Sequence, residues 1–492
     1  MGIPDFKAFS KLAEKGAYVV FSKQLSADLE TPVSAFLKIA EGSRSAFLFE
    51  SVERGERIGR YSLLAARPRQ VIYYDGDRTY IRDTHSTKKP NIFIGDPLHY
   101  MELTMPRLKL ANPISANGFQ GGYVGFLGYE SVTDFESIRL KLNGPAKTEK
   151  IPRSLFFLVE DYFVFDHVKH TLEMVALVQT SGNKKEAYEE GLECIRSLEE
   201  KLKSSTRIKS AKEKKSKPSS IKSNMTPTQF KKYVRRVKQY INAGDCIQVV
   251  LSQKFKLGKV SDPFHIYRAL RSLNPSPYMF YFRHEDLELV GSSPEMLVKK
   301  SSDTVEVRPI AGTRPRGRDE KEDRAQEREL QSSIKEHAEH LMLVDLGRND
   351  IGRVCDYKTV EVKEYARIER YSHVMHLVSD VTGKLAKGKH MFDTLRATFP
   401  AGTVTGAPKV RAMEIIDELE KEERGPYAGS VGYLSFSGDM DMCITIRTIV
   451  IHRGEASVQA GAGIVYDSDP AAEYQETVNK AKALFKAVRK ES

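Results

Sequence analysis

The sequence predicts an α/β or α+β fold built on large antiparallel or mixed β-sheets. Short runs with β-strand character, separated by Gly, Asp and Pro, fill most of the chain before residue 185. After residue 225, strand-like runs alternate with long amphipathic helices. Because neighbouring strands look like hairpins with helices between them, we expect sheets whose strands run at least partly antiparallel.

The N-terminal region, residues 1–200, is predicted to be rich in β-strands. Its strand-like runs are GAYVVFSKQL, SAFLFES, RYSLLAA, QVIYYDG and RTYIRDT. A charged amphipathic helix is predicted at residues 185–203. Residues 201–224 follow and are strongly basic: between Lys201 and Lys222 there are nine Lys or Arg residues and one acid, or +8 of the net charge of +11. We interpret this segment as a solvated linker or insertion, with binding to an acidic partner such as RNA as the alternative.

A second region, residues 225–492, opens with a well-marked helix start. Thr226 can cap the helix, Pro227 suits its first position and Gln229 stands at the capping-box position. Apolar residues keep helical spacing up to Gly244, where we expect the helix to end. The strand-like runs that follow include CIQVVLSQKFKL, LELVGSS, TVEVRPI, GSVGYLSFS, CITIRTIVI and EASVQAGAG. This region is therefore predicted to combine strands and helices.

Composition narrows the class of protein. The chain has 492 residues, 40% of them apolar, as in globular domains. It has no apolar run long enough to span a bilayer and no signal-peptide pattern, so we expect a cytoplasmic protein. The four cysteines lie far apart without a CxxC pair, which indicates free thiols. The sequence contains neither a GxGxxG motif after a strand nor a Walker loop, so it does not predict a nucleotide cofactor.

Two acidic helices are candidates for a metal site. The stretch KEHAEHLMLVDLGRND contains two histidines, but their H-x-E-H order fits neither of the usual zinc-hydrolase patterns, so zinc stays a weak alternative. Glu336 and Glu339 are three residues apart and share one helix face, and Glu473 and Glu476 repeat this pattern downstream. Two such helices facing each other would offer oxygen ligands suited to Mg²⁺. The alternative is that each pair lies on a solvated helix face.

Glycine-rich loops and one arginine point to an anionic ligand. AGAGIV follows a strand, and PAGTVTGAPKV leads into a helix, so both can present backbone N–H groups to a carboxylate or phosphate. Ordinary turn glycines are the alternative. Arg447 interrupts the apolar run CITIRTIVI, and a buried arginine needs an anionic partner. Together with Mg²⁺, these features predict a small substrate with several negative charges.

Long motifs in a fixed order resemble the chorismate-utilising enzymes, and most closely their anthranilate synthase component I branch. The motifs are ESVERGERIGRYSLLA, NPSPYMFYF, GSSPEMLV, RPIAGTRPRG, EHLMLVDLGRND, RYSHVMHLVS, FPAGTVTGAPKVRAMEIIDELE, DMCITIRT and VQAGAGIVYDSDPAAEYQE. The resemblance implies a sandwich-like core flanked by helices, with a regulatory element in residues 1–200 and the catalytic region in 225–492. It implies conversion of chorismate and ammonia to anthranilate and pyruvate in L-tryptophan biosynthesis. It also implies a glutamine amidotransferase subunit as ammonia source, in a heterotetramer or similar assembly.

The resemblance also assigns site residues. It implies metal ligation by Glu339 and Glu476, supported by Glu336 and Glu473. The implied catalytic residues are His376, near the departing ring hydroxyl, and Thr403. The implied substrate-binding residues are Gly312, Thr313, Tyr427, Arg447, Gly461, Ala462, Gly463 and Lys480. On this reading Arg447 and the glycine amides hold the enolpyruvyl carboxylate and Mg²⁺ holds the ring carboxylate.

Two positions distinguish members of the family. Relatives that form aminodeoxychorismate usually carry a lysine where this chain has Ala311, and isochorismate-forming relatives carry a lysine where it has Gln248. Without these lysines, ammonia is the expected nucleophile. Aminodeoxychorismate synthase component I remains the nearest alternative and isochorismate synthase a more distant one. A zinc hydrolase and a basic RNA-binding protein are the alternatives from other classes.

Feedback inhibition by tryptophan is a further implication of the resemblance. The family's regulatory pocket combines an L-L-E-S element with N-P-S-P-Y-M. The corresponding residues here are Glu50, Ser51, Asn274, Pro277, Tyr278 and Met279. Because Phe49 stands where a leucine is usual, the strength of the inhibition is left open.

Overall fold

The computed structural model describes residues 2–51, 59–105, 109–113, 118–138, 140–141, 151–205, 221–371 and 374–491. Its helices are α1 Phe6–Leu12, α2 Pro32–Ile39, α3 Pro97–Thr104, α4 Lys184–Lys203, α5 Pro227–Asn242, α6 Pro263–Leu273, α7 Glu320–Ser332, α8 Ile334–Gly352, α9 Met391–Thr398, α10 Gly402–Thr405, α11 Lys409–Leu419 and α12 Pro470–Glu491. Most of the basic segment, residues 206–220, lies outside the described residues, as do residues 52–58 and 372–373 of two quoted motifs.

Twenty-four strands are present in the described residues. The first ten are β1 Tyr18–Ser26, β2 Ser45–Glu50, β3 Tyr61–Ala66, β4 Gln70–Tyr74, β5 Arg78–Asp83, β6 Asn91–Ile94, β7 Gly122–Leu127, β8 Ser154–Val159, β9 Asp161–Asp166 and β10 Thr171–Gln179. Those after the basic segment are β11 Lys222–Ser223, β12 Gln248–Lys259, β13 Tyr278–His284, β14 Leu287–Ser293, β15 Met296–Ser301, β16 Thr304–Val307, β17 Ile310–Pro315, β18 Glu361–Arg370, β19 Val374–Lys384, β20 Gly406–Ala407, β21 Ser430–Ser435, β22 Met440–Ile444, β23 Thr448–His452 and β24 Glu455–Ile464.

These strands form two antiparallel sheets of twelve strands each. The first sheet has the order β1-β10-β9-β3-β2-β13-β14-β23-β24-β12-β11, with β20 also paired to β12. The second has the order β17-β19-β16-β15-β22-β21-β7-β8-β4-β5-β6, with β18 also paired to β19. Both sheets take strands from either side of the basic segment. The boundary predicted at residues 201–224 therefore divides the chain but does not separate the sheets.

The two sheets pack face to face around an apolar core. Phe157 on β8 and Phe282 on β13 stack with ring centroids 4.4 Å apart, and Phe126 on β7 meets the same ring edge-on. Strand β8 is buried along its whole length, which accounts for its continuous apolar sequence SLFFLV. Further apolar clusters lie between the outer faces of the sheets and the helices. The predicted sandwich-like core flanked by helices is confirmed.

Local signals placed several helix ends correctly. The Thr226 hydroxyl accepts a hydrogen bond from the Gln229 N–H at 3.2 Å, and α5 ends just before Gly244, whose φ is +83°. The helix predicted at residues 185–203 is observed as α4. All four cysteines are free thiols. In the described part of the chain, no helix is both long and apolar enough to cross a membrane.

Candidate active site

A cavity of about 630 Å³ collects most of the residues predicted to act on substrate. Strands β12, β17, β19 and β24 and helices α8, α10 and α12 contribute to its lining. The predicted site residues that line it are Gly312, Thr313, Glu336, Glu339, His376, Thr403, Tyr427, Arg447, Gly461, Gly463, Glu473, Glu476 and Lys480. The branch-determining positions Ala311 and Gln248 line it as well. We call it the first cavity.

The two acidic helices face the first cavity together. Helix α8 begins behind Ser333, whose hydroxyl accepts a hydrogen bond from the Glu336 N–H at 3.3 Å, and this start sets Glu336 and Glu339 on the cavity wall. Burial raises the pKa of Glu339, and the carboxylates of Glu336 and Glu476 raise it further. Burial and Glu476 also raise the pKa of Glu473. Four carboxylates, two from each helix, therefore influence one another electrostatically.

The donor set of this acidic cluster fits Mg²⁺. Among the described residues, no three His, Cys, Asp or Glu side chains are arranged closely enough to form a metal centre unaided. Mg²⁺ does not require one, because it is commonly held by one or two carboxylates together with water and substrate oxygens. A cation near Glu339 would also offset the carboxylate repulsion that raises its pKa. The residues present are compatible with the ion.

Cationic groups lie next to the acids. The Lys480 ammonium is 2.6 Å from a Glu476 carboxylate oxygen and donates a hydrogen bond to the Gly461 carbonyl at 3.1 Å. The Arg447 guanidinium donates to the Lys480 carbonyl at 3.1 Å, and burial lowers the pKa of Arg447. Arg447 has a φ of +50°, in the left-handed region, as its strand gives way to a turn before β23. Its charge is available to an anion in the first cavity.

Glycines on β24 and β17 make room in the first cavity. A Cβ atom at residue 461 would lie 2.6 Å from the Tyr427 hydroxyl, and one at residue 463 would lie 2.6 Å from Gln248 Nε2. Gly312 has a φ of +59°, and a Cβ there would lie 2.8 Å from Leu330. The glycines therefore let backbone groups approach the ligand.

Ala462 differs from its neighbours Gly461 and Gly463. Side chains alternate along a strand, so the Ala462 methyl points away from the first cavity into an apolar cluster with Phe230 and Val234 of α5. This direction leaves only the backbone of Ala462 to contact a ligand in the first cavity. Its backbone role stays a prediction.

The hydrogen bonds of His376 define its tautomer when the imidazole is neutral. Its Nδ1 lies 2.9 Å from the Gly312 carbonyl oxygen, which can only accept, so Nδ1 carries the hydrogen. Burial lowers the pKa of His376; the bond to Gly312 opposes this shift and the Arg447 charge adds to it. In the neutral ring Nε2 is then a hydrogen-bond acceptor and a base.

Glu295 is a lining residue that sequence reasoning missed. It follows β14 in GSSPEML, a motif quoted for the resemblance but not read for chemistry. Burial raises the pKa of Glu295 to about 7, while Thr403 and Lys480 oppose the rise. A carboxyl group that is partly protonated near neutral pH can donate a proton to a leaving group. The only available signal was an acid between apolar strand segments.

The two histidines of helix α8, His337 and His340, lie outside the first cavity. His340 is fully buried and its Nε2 is 2.6 Å from the Ser379 hydroxyl, while burial lowers its pKa to about 4. His337 Nε2 lies 2.9 Å from the Gln331 carbonyl oxygen. Neither lines the first cavity. The zinc alternative therefore finds no geometric support among the described residues.

A second cavity of about 730 Å³ contains most of the predicted regulatory residues. Those that line it are Glu50, Ser51, Pro277, Tyr278 and Met279, together with Phe49. Asn274 does not line it; its amide donates to the Ser292 hydroxyl at 2.8 Å, so the prediction that Asn274 faces the ligand is not supported.

Polar groups of the second cavity have defined partners. The Glu50 carboxylate accepts from the Tyr267 hydroxyl at 2.5 Å and pairs with Arg271 at 3.1 Å. Sequence reasoning missed Asp441, which lines the cavity and accepts from the Tyr278 hydroxyl at 3.0 Å. Burial raises the pKa of Asp441. A buried carboxylate that lines a cavity suits a ligand ammonium group.

The two cavities are adjacent. Pro294 and Ile310 line both of them, so one thin wall separates their contents. Pro294 directly precedes Glu295, and Ile310 begins the strand that carries Gly312 and Thr313. A ligand in the second cavity therefore contacts elements that shape the first.

Comparison with known proteins agrees with this architecture. A profile described as chorismate binding enzyme matches residues 45–486. Anthranilate synthase component 1 of Acetivibrio thermocellus is 44% identical over 494 residues, 99% of each chain. That of Aquifex aeolicus is 46% identical over 480 residues, 97% of this chain and 96% of its own.

Solved structures extend the comparison. The crystal structure of anthranilate synthase component I from Streptococcus pneumoniae TIGR4 matches with a TM-score of 0.75 at 39% identity, over 88% of this chain and 93% of its own. The menaquinone-specific isochorismate synthase from Escherichia coli has the same fold, with a TM-score of 0.69 at 17% identity over 98% of both chains. The chain therefore belongs to the chorismate binding enzyme family.

Proposed function

We propose that the chain is the large subunit of anthranilate synthase, which converts chorismate and ammonia to anthranilate, pyruvate and water. The observation that carries this proposal is the first cavity, where acids, Arg447 and glycine amides converge beside Ala311 and Gln248. No lysine stands at either of these two positions, so the wall offers neither the amine nucleophile nor the water-activating base of the related reactions. Ammonia delivered uncharged needs no such base.

The substrate's negative charges match the groups that line the first cavity. Arg447 and the backbone of Gly461 and Gly463 would hold the enolpyruvyl carboxylate, with Tyr427 closing this side. Glu339 and Glu476 would hold Mg²⁺, supported by Glu336 and Glu473. When bound, the ion supplies Lewis-acid polarisation of the ring carboxylate. Lys480 bridges the two groups, since it reaches both Glu476 and the Gly461 carbonyl.

Proton transfer divides between two residues. Glu295 would donate a proton to the departing ring hydroxyl, because its carboxyl is partly protonated near neutral pH. His376 would act later, when loss of pyruvate requires removal of a ring proton, since its Nε2 is a free acceptor in the neutral tautomer. The family resemblance places His376 near the departing hydroxyl, where it could also hydrogen-bond that group. Thr403 lines the same wall, and its buried hydroxyl has no hydrogen-bond partner among the described residues.

Glu295→Gln is expected to lower kcat roughly a hundredfold and to alter its pH dependence. In the parent chain, protonated Glu295 becomes scarcer as the pH rises through about 7, so kcat at constant free ammonia should decline above that pH. Glutamine does not titrate, and this decline should disappear. Anthranilate fluorescence measured across that range, with total ammonium adjusted at each pH, provides the test. An unchanged decline in the variant would assign it to another group.

The function itself is tested by incubating the purified chain with chorismate, Mg²⁺ and ammonium at alkaline pH. Anthranilate fluorescence with stoichiometric pyruvate is the expected result. An amino product formed without pyruvate would favour aminodeoxychorismate synthase component I instead. Turnover that needs no ammonium would favour isochorismate synthase.

Ammonia is proposed to come from a separate glutamine amidotransferase subunit, in a heterotetramer. Burial raises the pKa of all four cysteine thiols, so none of them is a ready thiolate for glutamine hydrolysis. Their free thiols also suit the reducing cytoplasm proposed for this enzyme. Glutamine should therefore replace ammonium only when the partner subunit is added.

Feedback inhibition by L-tryptophan is proposed to act through the second cavity. Glu50, Ser51, Pro277, Tyr278 and Met279 line it, and Asp441 adds a carboxylate for the amino group of an amino acid. Inhibition requires that tryptophan bind the less active state more tightly. The shared wall of Pro294 and Ile310 gives that preference a short path to Glu295 and Gly312.

Ser51→Phe is expected to abolish tryptophan inhibition while leaving turnover within about twofold. The Ser51 hydroxyl is buried on the wall of the second cavity, and a phenyl ring there would occupy space that the ligand needs. The measurement is the tryptophan concentration for half-inhibition, which should rise at least about tenfold. Ser181→Phe, at an exposed turn, serves as the matched control. Unchanged sensitivity in Ser51→Phe would refute this pocket.

A further inference from the structure

Gln459 on β24 lines the first cavity and carries an amide oxygen without a hydrogen-bond partner in the described part of the chain. Its amide nitrogen donates a hydrogen bond to the Ser252 hydroxyl oxygen at 2.8 Å. Its amide oxygen is buried, and no donor among the described residues lies within hydrogen-bond distance of it. A buried acceptor without a partner is unfavourable, which suggests that a ligand supplies the missing donor.

The orientation of this amide follows from its neighbours. The Ser252 hydroxyl donates its single hydrogen to a Glu420 carboxylate oxygen at 2.9 Å, and the Ser252 N–H donates to the same oxygen at 2.8 Å. The hydroxyl therefore has only lone pairs left for Gln459, so the NH₂ group must face Ser252. The amide oxygen of Gln459 is therefore turned away from Ser252.

A buried ion pair between Arg424 and Glu420 holds Ser252 in place. We call the hydrogen-bonded series Arg424, Glu420, Ser252 and Gln459 the relay. Arg424 donates to both Glu420 oxygens, at 2.9 and 2.7 Å, so the carboxylate cannot rotate away from Ser252. The same guanidinium donates to the carbonyls of Val404 and Val250, which line the first cavity. The relay from Arg424 through Glu420 and Ser252 is thus fixed to the cavity wall.

We propose that the Gln459 amide oxygen accepts a hydrogen bond from a neutral donor of the reacting molecules, with Ser252, Glu420 and Arg424 as positioning residues. The inference rests on the proposed function, because the reaction has only two such donors: the ring hydroxyl of chorismate and the N–H groups of ammonia. The ionised carboxylates of chorismate can only accept. A glutamine turned the other way would offer only N–H donors and could not accept a hydrogen bond from either group.

The test is Gln459→Leu, assayed with ammonium as nitrogen source and by calorimetric titration with chorismate in the absence of ammonium. If ammonia is the donor, kcat/KM for ammonia should fall roughly tenfold while chorismate binding is unchanged. If the ring hydroxyl is the donor, the Kd for chorismate should rise by a similar factor. Either result supports the proposal. Unchanged values in both measurements would overturn it.

Ser252→Ala separates positioning from folding. It keeps the Gln459 amide but removes its anchor, so we expect a smaller loss in the same parameter that Gln459→Leu changes. A purely structural defect would instead lower kcat through a smaller active fraction, with both KM values and the chorismate Kd unchanged. That result in both variants would contradict the relay.

Gln253→Leu is the matched control. Gln253 neighbours Ser252 and is equally buried, but it does not line the first cavity, and both ends of its amide are bonded, to Thr477 and Ser223, each at 2.6 Å. Its variant should lose stability without a change in KM. If the parent chain forms no anthranilate, the proposed function and this inference fail together. If the parent chain is active and Gln459→Leu has the same kcat/KM for ammonia and the same Kd for chorismate, this inference fails alone.

Discussion

Glu339→Gln and Glu476→Gln are each expected to lower kcat/KM for chorismate about 10³-fold. Each substitution removes one charged oxygen ligand from the proposed Mg²⁺ site and keeps the size of the side chain. Electrostatic stabilisation by a bound metal contributes several kcal/mol to a reaction in which charge develops, and this magnitude corresponds to the expected loss. The two variants should resemble each other although their residues lie on α8 and α12.

The electrostatics of the free site give a second expectation. The pKa of Glu339 is raised by burial and by its carboxylate neighbours, including Glu476, so removing one charge relieves repulsion in the absence of metal. Glu339→Gln should therefore be at least as stable as the parent when a chelator is present, whereas Glu476→Gln also loses the ion pair with Lys480. Both variants should also gain less stability from added Mg²⁺, because the stabilisation by a bound ligand rises with the logarithm of its concentration relative to its Kd.

The measurement is anthranilate formation across a Mg²⁺ titration, together with thermal unfolding with and without the ion. His337→Gln is the control, since this residue lies on the same helix but outside the first cavity and bonds the Gln331 carbonyl. Its Mg²⁺ dependence should match that of the parent. Full activity in either glutamate variant would refute a metal site shared by the two helices. Loss of metal dependence in His337→Gln would revive the zinc alternative.

Sequence reasoning succeeded where spacing or a long motif determines position. The three-residue spacing of Glu336 and Glu339 places both on one helix face, and the glycines around Ala462 mark a strand that must admit close approach. The convergence of α8 and α12 could not be derived from spacing, since their acids are more than a hundred residues apart; the family resemblance supplied it. The same resemblance supplied the sandwich of two sheets.

The missed features depend on tertiary contacts. Glu295 becomes unusual only when the fold buries it beside Thr403 and Lys480. Asp441 acquires its place through Tyr278, which lies far away along the chain. The side chains of Ala462 and Asn274 do not line the two cavities, and a motif names neighbouring residues without saying which way each side chain points. Strand alternation and local hydrogen bonds decide that direction.

Arg424→Met is expected to lower the free energy of unfolding by about 3–5 kcal/mol. Arg424 is 3% exposed and Glu420 8%, so the substitution leaves a carboxylate buried without its counter-charge. It also removes the donors to the carbonyls of Val404 and Val250 and the cation above the Tyr129 ring, 4.8 Å away. Each of these losses destabilises the folded state, so together they lower the free energy of unfolding.

The change can be followed by circular dichroism during urea unfolding, since the chain contains no tryptophan for fluorescence. Arg324→Met is the control: Arg324 pairs with Glu320 on α7, but both side chains are at least 70% exposed, so the loss should stay below about 1 kcal/mol. Equal effects at the two sites would contradict the role of burial.

A double variant, Arg424→Met with Glu420→Leu, separates stability from function at the same pair. Apolar replacement of a buried ion pair is often neutral or stabilising, so the double variant should recover part of the lost free energy of unfolding. It cannot restore the acceptor that holds the Ser252 hydroxyl, and through it the Gln459 amide. We therefore expect recovered stability with a persistent loss of kcat/KM. Recovery of both would mean that the pair contributes only packing, whereas recovery of stability alone would mean that the buried charges are retained to orient the cavity wall.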